Sequence, residues 1–131
     1  MLSFAVLMTS LLFGGMTLYS FGFAAFLFNA LPAQTANLAL RRAFPFFYLF
    51  VIFTAAISAA LLWSHDELAG VLMALVAATT VPARQALMPA INRATDGGQR
   101  QRFKWLHSLS VLVTLAHIAA AGFVLVRLVA H

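Results

Sequence analysis

The chain has 131 residues and a net charge of +5, with 63% hydrophobic and 8% charged residues. This composition excludes an ordinary soluble domain, and the length allows about four membrane spans of ~20 residues with no separate soluble domain. The positive charge does not indicate nucleic-acid binding, because the cations flank apolar segments, where they anchor and orient a membrane protein. Because the chain has no cysteine, disulfides, thiolate metal sites and thiol nucleophiles are excluded as well.

The first predicted span covers about residues 2–31 and ends at Pro32. Residues 1–40 contain no Asp, Glu, Lys or Arg. Its apolar run is much longer than the ~7–15 residues of a signal peptide and follows no basic segment, so we expect it to stay in the mature protein. Small and hydroxyl residues recur along it at seven-residue intervals and are expected to face protein: Ser3, Ser10, Thr17 and Ala24.

Three further spans are predicted at about residues 44–63, 67–86 and 103–128. Thr35 to Ala43 is interpreted as a short polar helix at the interface before the second span. Pro82 and Pro89 are expected to kink or break the third span near its end. The residues from Asp96 to Gln99 form the clearest loop, since they include two consecutive glycines. The fold class predicted is therefore all-α, an integral membrane four-helix bundle forming a single domain over residues 1–131.

The basic residues predict the orientation of the bundle. Seven of the eight Lys and Arg residues lie in the first and third connections, and the second connection has none. By the positive-inside rule, the first and third connections are cytoplasmic, so both termini lie outside. We expect a multi-pass protein of the cell inner (plasma) membrane. Its expected partners are the lipid bilayer and, as a further hypothesis, other membrane-protein subunits or copies of itself.

The fourth span carries the most informative polar residues. His107, Ser110, Thr114, His117 and Ala121 follow a 3-4-3-4 spacing, which places them along one seam of a helix. His117 lies near the middle of the span, where a histidine is costly unless it has a partner. A neutral imidazole bonded to a hydroxyl such as Ser58 or Thr54 is one interpretation, and a ligand or metal role is the other.

A redox domain that binds haem or quinone through His107 or His117 is the alternative function. Two axial histidines would have to lie on facing helices, yet both candidates lie on span four. His117 paired with Met16 or Met73 is chemically possible, although no spacing supports it. We therefore predict no cofactor and no metal site, with haem as the alternative.

Arg84, next to Pro82, either extends to the cytoplasmic headgroups or faces an anion at a broken helix. Apart from Glu67 at the very start of the third span, the four apolar spans contain no Asp or Glu, so the buried carboxylates typical of a proton relay are missing from them. No nucleophile elbow, metal-binding helix motif or phosphate loop is present. We therefore expect a protein without catalytic activity.

Several segments together are similar to a known family. Gly14-Gly15, FGFAAFLFNALP and RRAFPFFYLF in the first half, with VPARQALMPAINRATD and RFKWLHSLSVLV in the second, resemble the membrane family that includes eukaryotic transmembrane protein 205 and bacterial proteins described only as a domain of unknown function. The resemblance covers nearly the whole chain. It implies a four-helix membrane protein with no established catalytic activity, and it draws attention to these recurrent positions: Gly14, Gly15, Pro32, Pro45, Pro82, Arg84, Phe103, His107 and Ser110.

Together, these observations predict a small inner-membrane protein that assists transport, stress resistance or assembly of a larger membrane complex. An autonomous exporter is a third hypothesis. In that case, Arg84 and the seam with Ser110 and Thr114 would line the path of the solute.

Overall fold

The computed structural model describes residues 2–130, and this part of the chain folds into helices without any strand. Its four long helices are α1 (Leu2–Ala30), α2 (Ala33–Leu62), α3 (Glu67–Asp96) and α4 (Arg100–Ala130). Each of them is long and apolar enough to cross a membrane. The predicted all-α, four-helix membrane fold is confirmed. Because 30 helical residues extend ~45 Å and the hydrocarbon is ~30 Å thick, the helices tilt or project from it.

The four helices pack as a ring in chain order. The most extensive packing joins α2 to α3 and α2 to α1, and α4 closes the ring against α1 and α3. In α2, 44% of the most apolar stretch is buried, compared with 17% in α1 and in α4. The second helix is therefore the centre of the bundle, and α4 presents most of its surface to the surroundings.

Small residues let α2 and α3 pack closely. Ala55 and Ala59 of α2 are buried, whereas Ala56 and Ala60 face outward. On α3, a Cβ added to Gly70 would lie 3.1 Å from the Cα of Trp63, so the backbones nearly touch where the chain turns between the two helices. In lipid, where burial of apolar side chains gains little, such close backbone approach is a main source of helix association.

The face of α1 that packs on the bundle differs from the predicted one. Its buried residues include Ala5, Thr9, Leu12 and Met16, while Ser3 and Ser10 are exposed. The prediction that this seven-residue stripe faces protein is therefore wrong for both serines. A hydroxyl on a helix need not face a neighbour, because it can bond the carbonyl four residues earlier, as Thr9 Oγ1 does with Ala5 O at 2.8 Å.

The second helix is continuous from Ala33 to Leu62 and includes Pro45. The prediction of a separate interfacial helix over Thr35 to Ala43 is therefore wrong. Arg41 and Arg42 instead lie on the first turns of the long helix, before its uncharged part. Arg41 is held there by a two-pronged contact with Asp96 at the end of α3, with both N–O distances at 2.8 Å.

A widened turn carries α3 past its two prolines. Residues Ala83–Leu87 form a π-helical turn between Pro82 and Pro89, and the N–H of Met88 donates to the carbonyl of Ala83, five residues earlier. The π turn accommodates the missing proline N–H groups without ending the helix, which continues to Asp96. The expected break is thus a local change of pitch, and the turn itself carries Arg84.

The connections are short. Asp66 caps α3 by accepting a hydrogen bond from the Ala69 N–H at 3.3 Å. Gly97 and Gly98 form the predicted loop between α3 and α4, and Gly98 has a φ of 67°, a left-handed conformation that favours glycine. These tight turns make successive helices antiparallel neighbours.

Candidate functional site

Polar groups of α2, α3 and α4 form contacts between helices, from the half of the bundle nearer to the arginine-rich connections to its middle. The π turn of α3 contacts both α2 and α4. From this turn, Arg84 Nε donates to the carbonyl oxygen of Pro45 on α2 at 3.2 Å. Arg84 is only partly exposed. The guanidinium therefore binds helix backbone in the bundle, in addition to any contact that its other N–H groups make with lipid headgroups.

One turn along α2 from this contact, the Tyr48 phenol lies beside the hydroxyl of Ser110 on α4. Tyr48 is buried and Ser110 is partly buried. The two side chains are thus close to each other, although α2 and α4 otherwise lie on opposite sides of the ring. Ser110, predicted as a site residue, thus faces the interior close to the level of Arg84. Thr114, one turn further along α4, is partly buried.

The imidazole of His117 is bonded to Thr79 of α3, with 2.7 Å between Nε2 and Oγ1. The same hydroxyl lies 2.6 Å from the carbonyl oxygen of Leu75, which can only accept. Because a hydroxyl has one proton, we assign that proton to the Leu75 carbonyl, so that Nε2–H of His117 donates to Thr79. The predicted hydroxyl partner thus exists, but it is Thr79 and neither Ser58 nor Thr54.

The structure separates the two histidines of the seam. His107 is exposed and stacks on Phe103 of its own helix, with ring centroids 5.4 Å apart. His117 points to α3. Ten residues apart on one helix, they lie about 15 Å from each other along the axis, too far to hold a single metal from both sides.

The haem alternative also requires a second ligand on a facing helix. Met16 and Met73, the two methionines considered, are fully buried in the apolar core. Within residues 2–130, no group of three His, Asp or Glu side chains has the arrangement of a metal site. No observed contact therefore favours a haem or metal centre, and the alternative stays a prediction for spectroscopy.

The sequence singled out Arg84, Ser110, Thr114 and both histidines, but it did not predict the groups that contact Arg84, Ser110 and His117. Thr79, Tyr48 and the Pro45 carbonyl come from other helices, and the chain order does not reveal which helical face meets which. A hydroxyl or phenol inside an uncharged span was the available signal. For the Pro45 carbonyl the sequence offers no signal, because a proline in a helix frees the carbonyl four residues earlier and not its own.

Comparison with known proteins places most of the chain in one family. Residues 7–100 match the family model described as a domain of unknown function, DUF4149. The matched region covers α1 from its second turn, α2, α3 and the loop before α4, including Arg84 and its partner Pro45. Neither the curated proteins nor the solved structures give a significant match.

Proposed function

The chain belongs to the DUF4149 family, and we propose that it is a non-catalytic accessory protein of the cell inner membrane that packs against other membrane subunits. In this role it assists transport, stress resistance or assembly of a larger complex. The proposal also takes in the finer resemblance to transmembrane protein 205-like proteins, and an orientation with both termini outside the cytoplasm.

The observation that carries the proposal is the contrast between the two sides of α4. On the side that faces the bundle, His117 is bonded to Thr79 of α3, and Ser110 lies beside Tyr48 of α2. Outward, the half of α4 nearer to the arginines presents Trp105, 71% exposed, and His107, which is also exposed. Aromatic residues with a polar group are enriched where membrane and protein surfaces meet partners. This surface suits contact with another membrane subunit.

The hydrogen bonds between helices support a structural role for Arg84 and His117. Arg84 and His117 are each bonded to a neighbouring helix. Hydrogen bonds of this kind fix helix positions in lipid, typically contributing ~0.6–2 kcal/mol each. Helix positions fixed in this way, together with the exposed aromatic residues of α4, support an accessory role.

The test is site-specific photo-crosslinking in the native membrane. A photoreactive residue at position 107 should give a discrete adduct with one membrane polypeptide, and a matched probe at Val126, 70% exposed on the same helix, should not. His107→Ala should reduce co-purification of that polypeptide, whereas His65→Ala, in the loop between α2 and α3, should not change it.

Three results would contradict the proposal. The first is adducts with lipid alone at both probe positions. The second is solute flux by the pure protein in liposomes that Arg84→Ala abolishes, which would favour the exporter. The third is a Soret band in the natively purified protein that is lost in His107→Ala or His117→Ala, which would favour the redox alternative.

A further inference from the structure

A groove of about 520 Å³ lies between α1 and α2 and opens to the surroundings of the bundle. Its walls are almost entirely apolar. They consist of four residues of α1 and four of α2: Gly15, Leu18, Tyr19, Phe23, Ala43, Phe46, Phe47 and Phe50. None of these residues belongs to the polar cluster of α2, α3 and α4, so the groove is a separate feature.

Three features of α1 shape the groove. The turn Leu18–Phe23 is π-helical, and the N–H of Ala24 donates to the carbonyl of Tyr19, which widens the helix here. The Tyr19 ring stacks on Phe47 with centroids 4.1 Å apart and forms the floor between the helices. At one end, Gly15 leaves room for the Phe50 ring, which a Cβ would approach to 2.6 Å.

The other end of the groove leads to an arginine. Arg42 lies one turn before Phe46, so it flanks the face of α2 that lines the groove, on the side of Phe46. Arg42 is exposed, at the point where the uncharged part of the helix begins. Its neighbour Arg41 is already paired with Asp96. Arg42 has no ion-pair partner in the part of the chain that the structure describes.

We propose that the groove binds one acyl chain of an anionic phospholipid whose phosphate contacts Arg42. The lining of α2 from Ala43 to Phe50 extends only about 10 Å along the axis, which keeps the groove within one leaflet of a ~30 Å hydrocarbon layer. A partner helix would need a complementary face across much more of the bilayer. The apolar groove matches the acyl chain of a lipid, and Arg42 at headgroup depth matches its phosphate.

Native mass spectrometry of the purified full chain tests the proposal with phosphatidylglycerol and phosphatidylcholine of identical acyl chains. The wild-type protein should retain one phosphatidylglycerol in preference to phosphatidylcholine. Arg42→Gln should weaken phosphatidylglycerol binding about fivefold and leave phosphatidylcholine unchanged, as expected for the loss of one cation near a headgroup. Arg102→Gln, which removes an exposed arginine of α4, is the matched control and should have no effect.

A second pair of variants tests the groove itself. Ala43→Phe fills the groove and should reduce retention of both lipids, whereas Ala60→Phe, on an outward position of α2, should not. If Ala43→Phe does not fold, as judged by helicity, Phe46→Ala replaces it. That side chain is 74% exposed, and its removal takes away one wall of the groove. Its expected result is the same loss for both lipids.

Equal retention of the two lipids by the wild-type protein would overturn the proposal. Equal losses in Arg42→Gln and Arg102→Gln would show a diffuse surface charge effect and would also overturn it. Unchanged retention in the groove variant that folds would place the lipid elsewhere. None of these outcomes depends on whether a protein partner binds α4.

Discussion

Arg127 of α4 donates a hydrogen bond from Nε to Oδ2 of Asp66, the residue that caps α3. The two side chains are 34% and 16% exposed. Asp66 therefore has two roles. It caps the N-terminus of α3, and through Arg127 it holds the C-terminal end of α4. At the opposite end of the bundle, the ion pair of Arg41 with Asp96 connects α2 with the C-terminal end of α3. Each end of the bundle thus has an ion pair between consecutive helices, formed by residues far apart in sequence.

The first prediction concerns this double role of Asp66. Asp66→Ala should lower the thermal unfolding midpoint more than Arg127→Gln, because it removes both the cap of α3 and the ion pair. Glu67→Gln, a neighbouring change at an exposed position, is the control and should have little effect. Thermal unfolding in detergent, followed by circular dichroism, gives the midpoints of the three variants and therefore their order. Equal midpoints for Asp66→Ala and Glu67→Gln would contradict it.

A pH dependence follows from the same contact. The hydrogen bond from Arg127 and the backbone N–H of Ala69 hold the pKa of Asp66 below its ordinary value of 3.8. A carboxyl with a lowered folded-state pKa stabilises the fold above its unfolded-state pKa, and this contribution is lost as the pH falls through the folded-state pKa. The free energy of unfolding of the wild type should therefore exceed that of Asp66→Asn by its full amount at pH 6 to 7, a range about two units or more above the ordinary pKa. This difference should shrink below pH ~4. A difference that stays constant down to pH ~2 would contradict the ion-pair interpretation.

The bond between Thr79 and His117 should be detectable as a coupling energy. Thr79→Val leaves the imidazole N–H without a partner in lipid and should lower stability by about 0.6–2 kcal/mol. In the double mutant with His117→Leu the cost should be largely absent. Thr17→Val is the control, since Thr17 Oγ1 bonds only the Phe13 carbonyl of its own helix. Unfolding in mixed micelles measures the cycle, and strict additivity would mean that the two side chains do not interact.

Two adjacent glycines should respond differently to the same substitution. A Cβ at Gly14 meets nothing within 4 Å, whereas one at Gly15 approaches Phe50 Cε1 to 2.6 Å. Gly15→Ala should therefore be less stable than Gly14→Ala by about 1–3 kcal/mol, the usual cost of overpacking. Phe50→Leu should recover part of this loss in Gly15→Ala. If the two alanine variants unfold together, the ring does not pack against α1 in this way.

The orientation can be tested directly because the chain contains no cysteine. Single cysteines at Ser64 and Gln99 lie in exposed connections at the two ends of α3. By the positive-inside rule, Ser64→Cys should react with an impermeant maleimide in intact cells, and Gln99→Cys only after permeabilisation. Labelling at both positions in intact cells would contradict the predicted crossing of α3, and the reversed pattern would contradict the predicted orientation.

The sequence determined the medium and the number of helices. Apolar stretches of this length have one stable form in hydrocarbon, because a helix satisfies every backbone N–H and C=O within its own segment. Within such a helix, the residue spacing alone was sufficient to locate the seam of α4 that includes Ser110 and His117. These features depend on neighbours in sequence, and local periodicity is sufficient to find them.

Only the tertiary structure decided which groups meet. Lipid gives apolar faces little reason to prefer one neighbour over another, so contacts depend on close packing that hydropathy does not encode. The bond of His117 to Thr79, the contact of Arg84 with the Pro45 carbonyl and the burial of Thr9 in place of Ser10 all follow from helix rotation. The π turn at Ala83–Leu87 adds a further reason, because one widened turn changes which side chains of α3 face the bundle.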